Sequence, residues 1–347
     1  MRKIELQKNN GITLVALVVT IVILLILAGI TIMYTMGDNS IFKKAQEAKN
    51  KTEEAIQNEQ EYMNSIDNML NEYLNGTGNG EATGPEEIPI GNIKSDWATI
   101  EKIAKEIAKD NNITSETEKI TVIVDNKKYT ISVGDIFEAD WNGTSKRVRV
   151  LGFKHDDLVD QTVYGGTYEK ASISFEFVDC LGTHNMNGTD ISTSTNANGW
   201  AATEMRTFLE GSNGRGQLSN NSYLKQVKKR YIKTYNDASS VTTSNDYLWL
   251  LSASEVLKDG YGEGDTRGYA ITKEGEQYLY YQKNATETWN TESANRKKYV
   301  NGSAGSWWLR SPIYNYSTYF CDVDNSGHGN GGYYSYGTSG VAPGFCI

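Results

Sequence analysis

The sequence predicts an α+β protein: a long N-terminal helix, a flexible linker, and a C-terminal domain of short strands and long loops. Three observations predict it. Residues 12–36 form one uncharged stretch dominated by Leu, Ile and Val. Residues 75–92 (NGTGNGEATGPEEIPIGN) are rich in Gly, Thr and Asn and hold almost nothing to bury. Beyond residue 118, short apolar runs alternate with turn residues and a few helical patterns, the mixture of an α+β domain. At 347 residues the chain exceeds one typical domain.

The first element is the apolar stretch. Its twenty-five residues, Ile12 to Met36, can cross a hydrocarbon core of roughly 30 Å as a helix, and they outrun the apolar core of a secretory signal. Residues 1–11 form a short polar leader with Arg2, Lys3 and Lys8, ending at Gly11. The block Gly11-Ile12-Thr13-Leu14-Val15-Ala16-Leu17-Val18-Val19-Thr20 resembles the cleavage region of type IV prepilins in the form common in clostridia-like bacteria. The resemblance implies a prepilin peptidase as a partner, cutting after Gly11 to expose Ile12. The fifth residue after the cut is Ala16, where pilins usually carry a glutamate. Anchoring is therefore better supported than polymerisation with pilin-like subunits. The implied localisation is the cell membrane, single-pass, with the C-terminal domain outside the cell and a possible association with pili.

Residues 37–74 continue a helical pattern, with Ile41, Phe42, Ala45, Ala48 and later apolar residues at three- and four-residue steps. A helix from Ile12 to Leu74 would be roughly 95 Å long, a stalk. After the linker at 75–92, residues 93–117 hold a short helix with Ile100, Ile103, Ala104 and Ile107 on one face. Strands are predicted at 120–124, 129–133, 147–153 and 172–178, with Asp125-Asn126-Lys127 as a hairpin turn. Residues 201–210 and 223–231 read as helices, and 247–251 as a strand.

Within 118–347, blocks of large apolar residues recur: Val148–Gly152, Gly199-Trp200-Ala201, Leu248–Val256, Ser306-Trp307-Trp308-Leu309-Arg310-Ser311-Pro312 and Gly340–Ile347. Together they resemble a bacterial domain of unassigned activity often appended to prepilin-type anchors. They are also similar to the C-type-lectin-like variable proteins of diversity-generating retroelements. The resemblance implies a C-type-lectin-like fold. Trp307 and Trp308 offer apolar area, Arg310 a planar fork of five donors for buried carbonyls or carboxylates, and Pro312 a strand stop. With Pro343 they read as scaffold.

Residues 313–340 differ in composition. Twenty-four of these 28 residues are Tyr, Asn, Ser, Thr, Asp, Gly or His. Lys, Glu, Gln, Met and Trp make up 73 of the 347 residues, so about six are expected here and none occurs. Asparagine codons ending in a pyrimidine and randomised at their adenines never encode those five types, so adenine-specific retroelement mutagenesis leaves this signature. Tyr gives large amphipathic contact at low entropic cost, and Ser, Gly and Asn give adaptable hydrogen bonds. The predicted contact residues are Ile313, Tyr314, Asn315, Tyr316 and Tyr319, then Asp322, Asp324, Asn325, His328 and Asn330, and finally Tyr333, Tyr334 and Tyr336. Phe320 and Val323 are predicted scaffold contacts, on opposite faces of a strand unless a bulge intervenes.

The composition also narrows chemistry. A formal charge of −9 argues against reading of a nucleic-acid backbone. His155, His184 and His328 have no metal-ligand spacing and read as solvated loop residues. Calcium-mediated sugar binding needs Glu-Pro-Asn or Gln-Pro-Asp and Trp-Asn-Asp; the prolines lie elsewhere, and Trp289-Asn290 is followed by Thr291. Cys180, Cys321 and Cys346 leave a Cys321–Cys346 bridge and free buried thiols both open. No cofactor is implied. The function expected is recognition, without catalysis, of a protein or glycan on another cell, a phage or a host surface. The alternatives are a minor pilin and a formylglycine-generating-type oxidase using Cys321 and Cys346.

Overall fold

A computed structural model describes residues 85–234, 237–257, 274–313 and 316–347. The chain divides into two units, Met1–Ala82 and Thr83–Ile347, and every described residue belongs to the second. The predicted leader, span and stalk lie outside the described residues. Among those described, no helix is long and apolar enough to cross a membrane. The described residues therefore lend no support to a single-pass, pilin-like membrane protein. The α+β expectation is corrected as well: the domain is mostly β-sheet with a few short helices.

The linker predicted at 75–92 is structured where it is described. Strand β1 (Glu86–Ile88) runs parallel to a later strand, and a 3-10 turn covers Ile90–Asn92. Helix α1 (Trp97–Lys109) begins where the Asp96 carboxylate accepts the Thr99 amide, and Lys109 sits in its last turn. Its Ile100, Ile103, Ala104 and Ile107 are buried at 0% exposure. Strands β2 (Lys119–Val124) and β3 (Lys127–Ser132) form a hairpin turned by Asp125 and Asn126, both at positive φ. Such a turn matches strand twist and favours Asn, Asp and Gly.

Strands β4 (Ile136–Trp141) and β5 (Thr144–Phe153) make a second hairpin over Asn142-Gly143, again both at positive φ. After the short β6 (Asp157–Leu158) comes β7 (Ile173–Phe177), buried throughout. Its alternation sorts two environments. Phe175 meets Trp97, Phe137 and Phe345 at ring separations of 5.3–5.5 Å, whereas Ser174 and Glu176 enter polar networks. Each large side chain buried here contributes about 1.5–3 kcal/mol.

Strand β8 (Thr183–Asn185) is followed by a long loop and helix α2 (Glu204–Glu210), which Thr203 caps through the Arg206 amide. The helix predicted at 223–231 is instead strand β9 (Val227–Thr234), paired antiparallel with β10 (Asp237–Asp246). Lys, Arg and Tyr serve either state, and pairing decides. The strand predicted at 247–251 makes only an isolated bridge, Trp249 to Gly344. One-turn helix α3 (Ala253–Val256) is held by a capping box between Ser252 and Glu255. Helix α4 (Leu279–Asn284) follows.

The hairpin β11 (Lys298–Val300) and β12 (Ser303–Gly305) turns at Asn301-Gly302. Strands β13 (Trp307–Pro312), β14 (Tyr319–Val323), β15 (Gly329–Tyr334) and β16 (Thr338–Gly340) build a five-stranded sheet with β8, in the order β15-β14-β13-β16-β8. Strand β17 (Gly344–Cys346) closes a second sheet, β17-β7-β5-β4. The five-stranded sheet has core on both faces. Trp308 and Phe320 belong to one hydrophobic cluster, and Trp307, Leu309, Ile313, Cys321 and Val323 to the other.

Candidate ligand-binding surface

The frame residues of β13 bind backbone. Trp307 Nε1 donates to Arg296 O at 3.0 Å, and Trp308 Nε1 to His184 O at 2.8 Å. Arg310, at 0% exposure, spends its fork on three carbonyls and one carboxylate. Nε donates to Arg230 O (3.0 Å), Nη1 to Leu250 O (2.9 Å) and Glu255 Oε2 (2.5 Å), and Nη2 to Glu255 Oε1 (2.9 Å) and Glu274 O (2.7 Å). Pro312 and Pro343 are buried, and Phe320 and Val323 are at 0% exposure. Phe320 and Val323 face opposite sides of β14, each into its own cluster. The irregular register between Phe320 and Asp322 does not bring them together.

The segment 313–340 divides into anchors and presented groups. Ile313 is fully buried and Asp322 is 2% exposed, which corrects their assignment to an open contact surface. Ile313 packs in the second cluster, directly after the end of β13. Asp324 and His328 build a turn. Asp324 accepts from the Ser326 and His328 amides at 2.8 and 3.0 Å and from His328 Nδ1 at 3.0 Å. These contacts hold the Asp324 carboxyl below its ordinary range against the opposing effect of its partial burial. Asn325 is exposed at the tip of that turn. Tyr314, Asn315 and the Asn330 side chain lie outside the described residues.

Of the remaining tyrosines, Tyr316 and Tyr333 are exposed and Tyr319, Tyr334 and Tyr336 are half-buried. Tyr316, 53% exposed, leads a ladder of rings: Tyr316 to Tyr319 at 5.2 Å, Tyr319 to Tyr334 at 4.3 Å, and Tyr334 to Tyr336 at 5.4 Å. Tyr319 and Tyr334 face each other across β14 and β15, where opposed aromatic pairs interact. A hydrogen bond with Tyr334 pushes the Tyr319 hydroxyl up to about 12. Tyr333, 44% exposed, points to the other face and packs on Trp308 at 5.9 Å.

The ladder's backbone is tied from behind by a loop that sequence reasoning passed over. Asn196, 1% exposed, donates Nδ2 to Tyr316 O (2.6 Å) and Tyr319 O (2.9 Å), and its amide donates to Ser317 O at 2.8 Å. Ser335, at 0% exposure, gives its hydroxyl to Asn187 O at 2.8 Å and accepts the Thr195 amide at 3.0 Å. The alternating Ser, Thr and Asn of residues 186–196 carry this clamp, since short polar side chains bond neighbouring backbone.

Elsewhere the buried charges are matched. Lys229 lies 2.6 Å from both Asp156 and Glu255. Asp156 also accepts from Tyr278 Oη and Ser174 Oγ. Desolvation opposes ionisation of Glu255, yet Arg310 and Lys229 hold its carboxyl down at about 2. Glu274, which accepts the Ile232 amide, is pushed up to about 7 by burial. A second network joins Glu176 to Lys298 at 2.9 Å, and to Arg149 and Tyr281. The Ser-x-x-Glu spacing at Ser252 and Glu255 signals the cap that places Glu255 beside Arg310.

The three cysteines are buried, and the Cys321–Cys346 bridge is not formed. Cys321 and Cys346 lie in different clusters. Burial pushes the Cys346 thiol well up, against the thiolate that redox or nucleophilic chemistry needs. His155 and His184 are not solvated loop residues: they are half-buried, His155 packing at a tilt on Tyr278 at 4.1 Å and His184 stacking on Phe208 at 4.6 Å. Among the described residues, no group of three His, Cys, Asp or Glu is placed to hold a metal ion.

Residues 178–347 match a family model described as a domain of unknown function, DUF6273. No curated protein and no solved structure matches the chain.

Proposed function

We propose that this chain is a binding protein without catalytic activity, and that its contact surface is the tyrosine ladder of residues 313–340, diversified by adenine-specific retroelement mutagenesis. One observation carries the reading. Tyr316, Tyr319, Tyr334 and Tyr336 line up ring against ring on and just beyond the ends of β14 and β15, where Phe320, Cys321 and Val323 are fully buried. Rigid aromatic rings on a clamped backbone lose little entropy when they meet a partner. The composition of the segment supports the same reading, because the types missing from it are those that randomised adenine codons cannot encode.

Diversification predicts a trace in the gene. The codons for Trp307–Ile347 should have a near-copy close by, differing at adenines in the codons of Tyr316, Tyr319, Tyr334 and Tyr336. Sequencing the flanking DNA in several isolates tests this. A missing near-copy, together with the same tyrosines in every isolate, would remove diversification from the account.

A further inference from the structure

We infer a second binding site, on the sheet face opposite the ladder, for a neutral ring-shaped polyol such as one pyranose unit of a glycan. A cleft of about 480 Å³ opens there, within the range of small-molecule sites. It lies between β12, β16 and the outer end of β15. Tyr333 forms one wall. Its ring packs on Trp308 at 5.9 Å, and Gly337 leaves room for it, because a Cβ there would come within 2.1 Å of the ring. The ring is thus braced, yet 44% exposed, the state of an aromatic platform for a sugar's apolar face.

The opposite wall is polar. Ser339 lines the cleft at 5% exposure, and its hydroxyl has no hydrogen-bond partner among the described residues. Leaving a buried hydroxyl unpaired costs about 1–3 kcal/mol, which a ligand hydroxyl would relieve. Thr183, Ser306 and Thr338 add hydroxyls, and Asp322, 2% exposed, adds a carboxylate. Among the described residues no Lys, Arg or His lines the cleft, so an anionic ligand meets a carboxylate there and no described counter-charge. A neutral polyol matches the donors, the acceptors and the platform together. Gly340 also lines the cleft and must stay without a side chain: a Cβ there would lie 2.5 Å from Cys180 Sγ and 2.9 Å from Ser306 O.

This site shares no residue with the ladder, so the two readings fail separately. The test is titration of the full chain, by ligand-observed NMR, with free neutral hexoses and N-acetylhexosamines, and with a uronic acid as counter-probe. At least one neutral sugar should bind with a Kd of about 1 mM. Tyr333→Ala should abolish that binding, Ser339→Ala should weaken it about tenfold, and Tyr334→Ser should leave it unchanged. Retained thermal melting of each variant shows that the fold is kept. Absence of binding by every neutral sugar, binding that survives Tyr333→Ala in a folded variant, or equal binding of the uronic acid would each overturn the inference.

Discussion

Replacing Arg310 by methionine is expected to cost about 3–5 kcal/mol, enough to unfold much of a domain whose whole stability lies near 5–15 kcal/mol. The side chain is at 0% exposure and bridges β13 to Arg230, Leu250, Glu255 and Glu274. Removing it takes a donor from three carbonyls and strips Glu255, which lies across Lys229 from Asp156, of its bidentate partner. Methionine fills much of the volume, so the loss comes from unpaired polar groups rather than from a cavity. Adding Glu255→Gln to Arg310→Met should recover at least about 1 kcal/mol, because it removes the stranded charge. Urea unfolding of the single and double variants measures both. A double variant weaker than the single one would mean that Arg310 acts through packing alone.

Gly199→Ala should be comparably severe, on the order of 3–5 kcal/mol. Gly199 adopts φ 61° and ψ −157°, a region open almost only to glycine. A Cβ there would lie 1.9 Å from the Ile232 carbonyl oxygen. The strain falls where the loop behind the ladder enters Trp200, whose Nε1 donates to Asp246 at 3.1 Å. Gly302→Ala provides the contrast. Its φ is 83°, but nothing lies within 4 Å of its added Cβ, so only the dihedral cost of about 1–2 kcal/mol remains. Equal losses in the two variants would show that the contact with Ile232 contributes nothing.

The contrast between residues 199 and 302 also marks what the sequence makes legible. Local signals read well. The apolar spacing of Ile100, Ile103, Ala104 and Ile107 falls within Trp97–Lys109, and the strand predicted at 120–124 lies within Lys119–Val124. The turns at Asn142-Gly143 and Asn301-Gly302 carry an equally plain hairpin signal that passed unread. Long-range pairing reads poorly. Tyr223, Leu224, Val227 and Tyr231 are spaced in a way that suits a helix, and pairing with β10 and β6 makes Val227–Thr234 a strand. Glu86–Ile88 has little to bury, yet β3 recruits it into a sheet.

The candidate surface shows the same division. The tyrosines and the missing residue types were visible in composition, because they concern chemistry rather than position. Which members of the segment stand inside was not. Ile313 and Asp322 are buried because β13 and β14 have core on both faces, and a sequence does not say how many layers cover a strand. The Asn196 and Ser335 clamp joins residues more than a hundred positions apart, and no local pattern announces such a contact.

The central claim is that a replaceable contact surface sits on a frame that tolerates no replacement. Two libraries test it most directly: one randomised at Tyr316, Tyr319, Tyr334 and Tyr336, the other at Trp307, Trp308 and Arg310, both sorted for protease-resistant folded protein. The account predicts that most members of the first library stay folded and nearly all of the second are lost. Equal depletion of both would contradict it, since the tyrosines would then be part of the frame.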